Sequence, residues 1–439
     1  MALLAHAAQS VLLLSVLGLG LGAQAPTLRN RLGTALEAVP AIDHHTHLLE
    51  KAPYAPEQDG EAPLLMRSTH PAVVKVLRER FGVDWDPRQG QALHAAASAA
   101  RQARMDRLGG EVAYWADHLR SARVDLALVN QVEPLDPHPD ALRWVPTASP
   151  LLLPFPAASL EARSPLSAEE LPRFRAALLR WMKADGRSGP SPTLAAYLRF
   201  LDRQLRTWQA QGAVALKFVE AYHRSLRFEA VGQVRAEALW RTGQARSLRR
   251  EEYLTLQDFL ARHLFREAGA LNLPVHVHTG LGGSPRLQLQ EADPRNLEAT
   301  LADPAFHATT FVLIHAGTPD PRTAAAMAAF RPHVWLDLSG LAFHLPPDEL
   351  ATAVRACLLA APERTLFGTD AYGCHQIPVG PEVVQLAFSP ILRQALTEAL
   401  ASLVEAGLLE EARALQMGRD VLRGNARRLY RWDAAAQVP

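Results

Sequence analysis

Eight short apolar runs, rich in β-branched residues, recur along this chain and are separated by longer stretches with helical periodicity. The runs are residues 41–47, 124–130, 151–155, 213–220, 273–280, 309–317, 333–340 and 364–371. Apolar strands that alternate with helices are typical of a parallel sheet with both faces covered. Eight such units predict an α/β fold, the closed (β/α)8 TIM barrel. For the third strand, residues 143–149 are an alternative to residues 151–155.

The segments between the runs predict the rest of the architecture. Residues 50–122 and 156–191 are long and mix helical patterns with proline-rich loops, so we expect helical insertions after strands 1 and 3. Residues 403–432 predict one or two closing helices. We therefore expect a single barrel domain over residues 26–439.

The first 25 residues are excluded from this domain. The run from Val11 to Gly22 has the length of a signal-peptide core. The AQA segment that follows it, residues 23–25, has the small-residue pattern of a cleavage site. No lysine or arginine precedes the run and Pro26 follows it, so an uncleaved apolar leader is the alternative. Export to the periplasm or beyond and a cytoplasmic location both stay open.

Charge and cysteine content exclude several classes of partner. The formal net charge is +1 with no basic stripe, which argues against nucleic acid. The two cysteines, Cys357 and Cys374, are too few for a disulfide framework and lack metal-type spacing. No further segment has transmembrane length, so we expect no stable membrane partner. The sequence leaves open whether the protein forms a homo-oligomer.

Polar residues stand where the apolar runs end. In a parallel barrel these strand ends share one rim, where active sites are built. A His-x-His pair on a strand faces one way, so the two imidazoles of His45 and His47 can share a metal, whereas His44, directly before the pair, should point to the opposite face and play a supporting role. Histidine and aspartate ligands suit zinc or another divalent first-row metal. The residues at the strand ends are His45, His47, Lys217, His278, His315 and Asp370.

Several motifs give the chain a family resemblance over residues 40–432. They are IDHHTH (42–47), GAVALKFVEAYHRSL (212–226), LPVHVHTGLG (273–282), FVLIHAGTP (311–319), VWLDLSG (334–340), LFGTDA (366–371) and NARRLY (425–430). In these the chain resembles the amidohydrolase superfamily, in its amidohydrolase-related branch. It is similar to the amidohydrolase-like module that some proteins carry fused to glutamine-synthetase-like domains.

The resemblance implies roles for the residues at the rim. His45, His47, His278 and Asp370 match the family's metal ligands. Asp370 also matches the aspartate that shuttles the proton, and His315 matches a histidine that ligates a second metal or stabilises an oxyanion. The resemblance implies one divalent metal, zinc or alternatively manganese, with a second metal as the less favoured option.

Residues after the fourth and fifth strands are candidates for contact with a small-molecule substrate. Lys217 matches a lysine that, once carboxylated, bridges two metals in some members, whereas in a mononuclear member it would contact substrate or stay buried. We expect Tyr222, His223 and Arg224 at the rim, with Arg224 able to bind a carboxylate. His276 should lie one layer deeper than His278.

The expected reaction is hydrolysis of an amide, lactone or related carbonyl compound. A metal-dependent decarboxylase of the same branch is the main alternative. A non-catalytic metal-binding module is a second alternative, and an isomerase of sugar acids is a third. The sequence does not identify the substrate.

Overall fold

Eight parallel strands form a closed barrel. The computed structural model describes residues 26–432 except 51–53, 56–61, 136–139, 188, 190 and 283–286, so the predicted leader lies outside the described residues. The strands are β1 (Ala41–Thr46), β2 (Val124–Gln131), β3 (Leu142–Pro146), β4 (Leu216–Phe218), β5 (Val275–His278), β6 (Phe311–Ile314), β7 (Val334–Asp337) and β8 (Thr365–Leu366).

Two seams close this barrel. Strands β1–β3 and β4–β8 form two parallel sheets, each in sequence order. Parallel bridges from Trp144 to Ala213 and from Thr147 to Lys217 join β3 to β4. On the other side, the His44 N–H donates to the Phe367 carbonyl at 3.0 Å, joining β1 to the segment after β8. The predicted (β/α)8 barrel is therefore confirmed.

The third strand is residues Leu142–Pro146, so its prediction at residues 151–155 was wrong and the alternative holds. Residues Ser149–Leu152 form a 3-10 turn instead, and Leu151 and Leu152 are completely buried. An apolar run signals burial, but it does not distinguish a strand from a buried turn.

Helices surround the barrel and fill its long connections. After β1 come α2, α3 and α4, and after β3 come α5 and α6. The helices are α1 (Leu28–Glu37), α2 (Pro71–Phe81), α3 (Gly90–Leu108), α4 (Glu111–Ser121), α5 (Ala158–Glu161), α6 (Pro165–Ala184), α7 (Leu194–Ala210), α8 (Gln233–Ala245), α9 (Arg250–Ala270), α10 (Glu298–Ala302), α11 (Pro321–Ala329), α12 (Leu341–His344), α13 (Pro347–Ala360), α14 (Pro381–Glu405), α15 (Glu411–Arg419) and α16 (Asn425–Leu429). Within the described residues, no helix combines the length and apolar character needed to cross a bilayer.

Helix α7 shows how the sequence specifies these outer elements. The Thr193 hydroxyl accepts a hydrogen bond from the Ala196 N–H at 3.1 Å and caps the helix. Its buried residues recur every three or four positions, which turns one face toward the barrel. They are Leu194, Tyr197, Phe200, Leu201, Leu205 and Trp208.

The barrel interior has an apolar floor below a polar upper part. One buried cluster collects residues from five strands and the residue directly before β4, together with Ala426 of α16, which closes the base. The residues other than Ala426 are Ile42, Leu128, Val145, Ala215, Val312, Ile314 and Leu366. Above this floor the strands end in histidines and carboxylates, so the polar side chains gather at the C-terminal rim.

Candidate metal centre

Strand β1 and the residue directly after it place three histidines at two heights along the barrel axis. The pairing of β1 with β2 shifts register between Asp43 and Thr46. Because of this shift, strict side-chain alternation fails at His44 and His45. His44 contacts Asp337 inside the barrel, whereas His45 lies beside Asp370 at the rim. The expectation that His44 points out of the barrel was therefore wrong.

Five side chains meet at the rim, and we call His45, His47, His278, His315 and Asp370 the rim cluster. The Asp370 carboxylate lies at its centre. Its Oδ1 is 3.2 Å from His45 Nε2 and 3.7 Å from His47 Nε2, and its Oδ2 is 3.9 Å from His315 Nε2. Ligand atoms of His45, His315 and Asp370 all lie within 4.8 Å of one another.

His278 completes the rim cluster from β5. Its ring centroid is 4.7 Å from that of His315 and 4.5 Å from that of Tyr222. The His278 Nε2 atom is buried and has no hydrogen-bond partner among the described residues. A buried imidazole nitrogen without a partner is costly, which indicates that the nitrogen serves to bind a ligand.

Two members of the rim cluster adopt left-handed backbone conformations. The φ angle is 66° at His315 and 55° at Asp370. Non-glycine residues rarely adopt this region, and such conformations concentrate at functional sites. Gly340 makes room for His315: its φ is 78°, and a Cβ atom there would lie 2.9 Å from His315 Nδ1.

Burial keeps the imidazoles of the rim cluster neutral. It lowers the pKa of His315 to about 3, and it lowers the pKa values of His45 and His278 well below their ordinary value. Burial raises the pKa of Asp370 well above its ordinary value, which the neighbouring Lys217 opposes. A neutral imidazole is the form that binds metals.

Lys217 lies below the rim cluster, with only 1% of its surface exposed. Its Nζ atom is 3.3 Å from His45 Nε2. Burial lowers the pKa of Lys217 to about 8, although Asp370 and Asp337 oppose the shift.

The residues present fit a divalent metal ion. Several neutral imidazoles and one buried carboxylate lie close together, and one of the imidazole nitrogens has no partner among the residues that the structure describes. Nitrogen and oxygen donors of this kind suit first-row divalent metals.

Three of the proposed substrate contacts do not reach the rim cluster. Arg224 is 4% exposed and binds Asp258 on α9 at 2.5 Å and the Arg227 carbonyl at 2.8 Å, so it holds the loop after β4 to a helix. His223 is 5% exposed; its Nδ1 lies 3.2 Å from the Ser167 hydroxyl.

His276, the third of these residues, is completely buried, and its Nε2 lies 2.8 Å from the Tyr430 hydroxyl. Arg224, His223 and His276 therefore do not belong to the rim cluster, and each contacts another side chain of the protein; a substrate role for them stays a prediction. Tyr222 alone remains beside the rim cluster.

Other residues at the rim escaped the sequence analysis. The Asn130 side-chain amide lies 2.7 Å from His45 Nδ1, and the Ser339 carbonyl accepts from His315 Nδ1–H at 2.9 Å. His344 Nε2 and the Tyr372 hydroxyl are buried without a partner among the described residues. Asn130 and Ser339 could have been found as polar residues ending β2 and following β7. Tyr372 carried no comparable signal.

Fold and rim cluster together define a (β/α)8 barrel protein with a candidate divalent-metal centre at its C-terminal rim. Comparison with known proteins narrows this class. The chain belongs to the amidohydrolase family, whose profile matches residues 42–432.

Individual relatives agree with the family and the fold. Protein fluG of Emericella nidulans is 30% identical over 187 residues, a match that covers 41% of this chain and only 20% of that protein. A Lactobacillus casei protein proposed to be a metal-dependent hydrolase superposes with TM-score 0.64 at 19% identity, over 93% of this chain and 99% of its own. Uronate isomerase of Thermotoga maritima superposes with TM-score 0.59 at 12% identity, over 92% and 97%. At these identities the two structures show a common fold.

Proposed function

We propose that this protein is a metal-dependent hydrolase acting on an amide, lactone or related carbonyl compound. The observation that carries the proposal is the rim cluster itself: neutral imidazoles surround one buried carboxylate, and His278 Nε2 has no hydrogen-bond partner in the part of the chain that the structure describes. In this proposal His45, His47, His278 and Asp370 hold one divalent ion, zinc before manganese. The ion would activate water and polarise the substrate carbonyl.

Asp370 is the proposed acid–base group. Burial raises the proton affinity of its carboxylate, which lies among three imidazoles, so the ionised carboxylate can take a proton from water and the protonated group can return it to a leaving group. The left-handed backbone at Asp370 directs this carboxylate to the centre of the rim cluster.

His315 has a more specific role than the resemblance implies. Its Nδ1–H donates to the Ser339 carbonyl, so the neutral ring presents the Nε2 lone pair to the rim cluster. His315 can therefore accept a proton or bind the metal directly. It can donate to a developing oxyanion only after it has itself been protonated.

A single metal, with Lys217 unmodified, is the proposed state. The Lys217 ammonium lies 3.3 Å from His45 Nε2 and is charge-coupled to Asp370, which suits a positive group that balances the buried carboxylate. Metal analysis and intact mass test this state. Two metal equivalents with added mass on Lys217 would establish the bridging carbamate instead.

The reaction is tested by assaying the zinc- and manganese-loaded protein on a panel of amides and lactones in 18O-labelled water. We expect the label in the product, and we expect Asp370→Asn to lower kcat by about 100- to 10,000-fold. His45→Ala should lose the metal as well as the activity.

His263→Ala is the control for these assays. His263 belongs, with Asp202 and Glu267, to a second group of metal-binding residue types on the outer helices α7 and α9. The substitution removes the only imidazole of that group. It should leave the activity unchanged. Release of carbon dioxide without incorporated label would assign a decarboxylase, and a product of unchanged mass would assign an isomerase. Full activity in Asp370→Asn would refute the mechanism.

A further inference from the structure

A tyrosine from the base of the barrel reaches the histidines above it. Tyr430 follows directly after α16, and its hydroxyl lies 2.7 Å from His44 Nε2 and 2.8 Å from His276 Nε2. Both histidines are completely buried. The rings of His44 and His276 also contact each other, with centroids 4.6 Å apart.

From His44 the hydrogen bonds continue up to the rim cluster. His44 Nδ1 lies 2.8 Å from Asp337 Oδ2, and Asp337 Oδ1 accepts from the Ser339 N–H at 2.9 Å and from the Ser339 hydroxyl. Ser339 in turn accepts from His315 through its carbonyl at 2.9 Å. We call Tyr430, His44, Asp337, Ser339 and His315 the axial chain.

The direction of these hydrogen bonds follows from the carboxylate. Asp337 accepts from His44 Nδ1–H, so in the neutral ring His44 Nε2 accepts from the Tyr430 hydroxyl. The Tyr430 oxygen is then free to accept from His276 Nε2–H. One hydroxyl therefore connects two buried histidines: Asp337 sets the tautomer of His44, and the Tyr430 oxygen sets that of His276. Phenylalanine at this position would leave both nitrogens without this partner.

The closing helix holds Tyr430 at a fixed height. Asn425, which is completely buried, donates from its amide to the carbonyls of Pro362 at 2.8 Å and Thr365 at 2.7 Å, at the start of β8. The NARRLY motif thus has two functional positions: its asparagine attaches α16 to the barrel, and its tyrosine enters the interior.

We propose that Tyr430 is a positioning residue for the metal centre, acting from the barrel base through the axial chain. The inference rests on the proposed metal site. It does not depend on which reaction the site catalyses, because it concerns only how firmly the side chains of the rim cluster are held in place. Partners of metal ligands typically change metal affinity by 10- to 100-fold. Tyr430 acts through intermediates, and the axial chain ends at His315, whose Nε2 lies 3.9 Å from the proposed ligand Asp370, so we expect an effect near the lower limit.

The test compares Tyr430→Phe with Tyr253→Phe. Tyr253 is the control: it is completely buried, whereas Tyr430 is partly buried, and its hydroxyl donates to the Phe155 carbonyl at 2.7 Å and accepts from the Phe155 N–H at 3.2 Å, outside the axial chain. Zinc Kd is measured by chelator competition in a His263→Ala background, and ligand geometry is measured by the visible spectrum of the cobalt form.

Tyr430→Phe should raise the zinc Kd by about tenfold and alter the cobalt spectrum. Tyr253→Phe should lower the melting temperature with neither change. A Tyr430→Phe protein with wild-type Kd and spectrum would overturn the positioning role alone. A wild type that binds no zinc would instead overturn the proposed metal site.

If Tyr430→Phe fails to fold, the proposal can still be tested on the wild-type protein. With ring-13C-labelled tyrosine, zinc should shift the Tyr430 signal, because coupling between two sites is reciprocal. A Tyr430 signal that does not move while the signal of the neighbouring rim residue Tyr222 does would overturn the proposal.

Discussion

At the scale of single residues, the candidate centre depends on backbone conformations that its own side chains disfavour. His315 and Asp370 both have positive φ angles, and Gly340 allows His315 to pack against the segment after β7. The sequence predicted both residues at strand ends, because position along a strand follows from the apolar pattern. It could not predict their left-handed conformations, which depend on contacts between different strands.

Gly340→Ala tests this packing. A left-handed alanine costs about 1–2 kcal/mol, and the added Cβ atom would also displace His315, from which it would lie 2.9 Å. We expect a lower melting temperature and a weaker zinc affinity. Gly407 is the matched control, with φ 69° and no atom within 4 Å of the added Cβ. Gly407→Ala should lower the melting temperature and leave zinc affinity unchanged; equal zinc affinities in the two variants would contradict the argument.

At the scale of elements, the sequence predicted the barrel better than its connections. Six of the eight apolar runs contain a whole observed strand and the run 124–130 contains all of β2 except Gln131, because buried parallel strands need β-branched residues on both faces. The run at residues 151–155 failed because its leucines are buried in a turn, while the true strand contains the polar Arg143 and ends at Pro146. The sequence predicted Arg224, in the loop after β4, at a solvated rim, whereas it lies buried against Asp258 of helix α9.

The ion pair between Arg224 and Asp258 tests the corrected view of that loop. Both residues are buried, so removing one partner leaves an unpaired charge, and Arg224→Ala should lower the free energy of unfolding by about 3–5 kcal/mol. The side chain of Arg203 is 45% exposed where it pairs with Asp185, so Arg203→Ala should lower the free energy of unfolding by less than about 1 kcal/mol. Urea unfolding measures both. A raised KM in Arg224→Ala at unchanged stability would instead support the predicted substrate role.

At the scale of the whole molecule, buried titratable groups make stability depend on pH. Gln385 of α14 connects two of them: its amide nitrogen donates to Asp43 at 2.7 Å, and its oxygen lies 2.8 Å from His118 Nε2. Burial lowers the pKa of His118 to about 3 and raises the pKa of Asp43 to about 7, although Thr369 and Gln385 oppose the shift at Asp43. Asp43 and His118, connected through Gln385, should therefore change the stability of the fold with pH in opposite directions.

The two residues should respond to acid in opposite directions. Unfolded histidine binds its proton near pH 6.5 and folded His118 only near pH 3, so His118 makes the fold less stable as pH falls between these values. Folded Asp43 binds its proton near pH 7 and unfolded aspartate only near pH 3.9, so Asp43 makes the fold more stable as pH falls between these values.

Urea unfolding of His118→Asn and Asp43→Asn between pH 7 and pH 4 separates these contributions. Neither asparagine titrates, so each variant lacks one of the two dependences. As pH falls, the stability deficit of His118→Asn relative to the wild type should shrink, because the wild type loses the contribution of His118. The deficit of Asp43→Asn should grow over the same range, because the wild type gains from protonating Asp43. Deficits that stay constant with pH would show that neither group titrates differently in the folded and unfolded states.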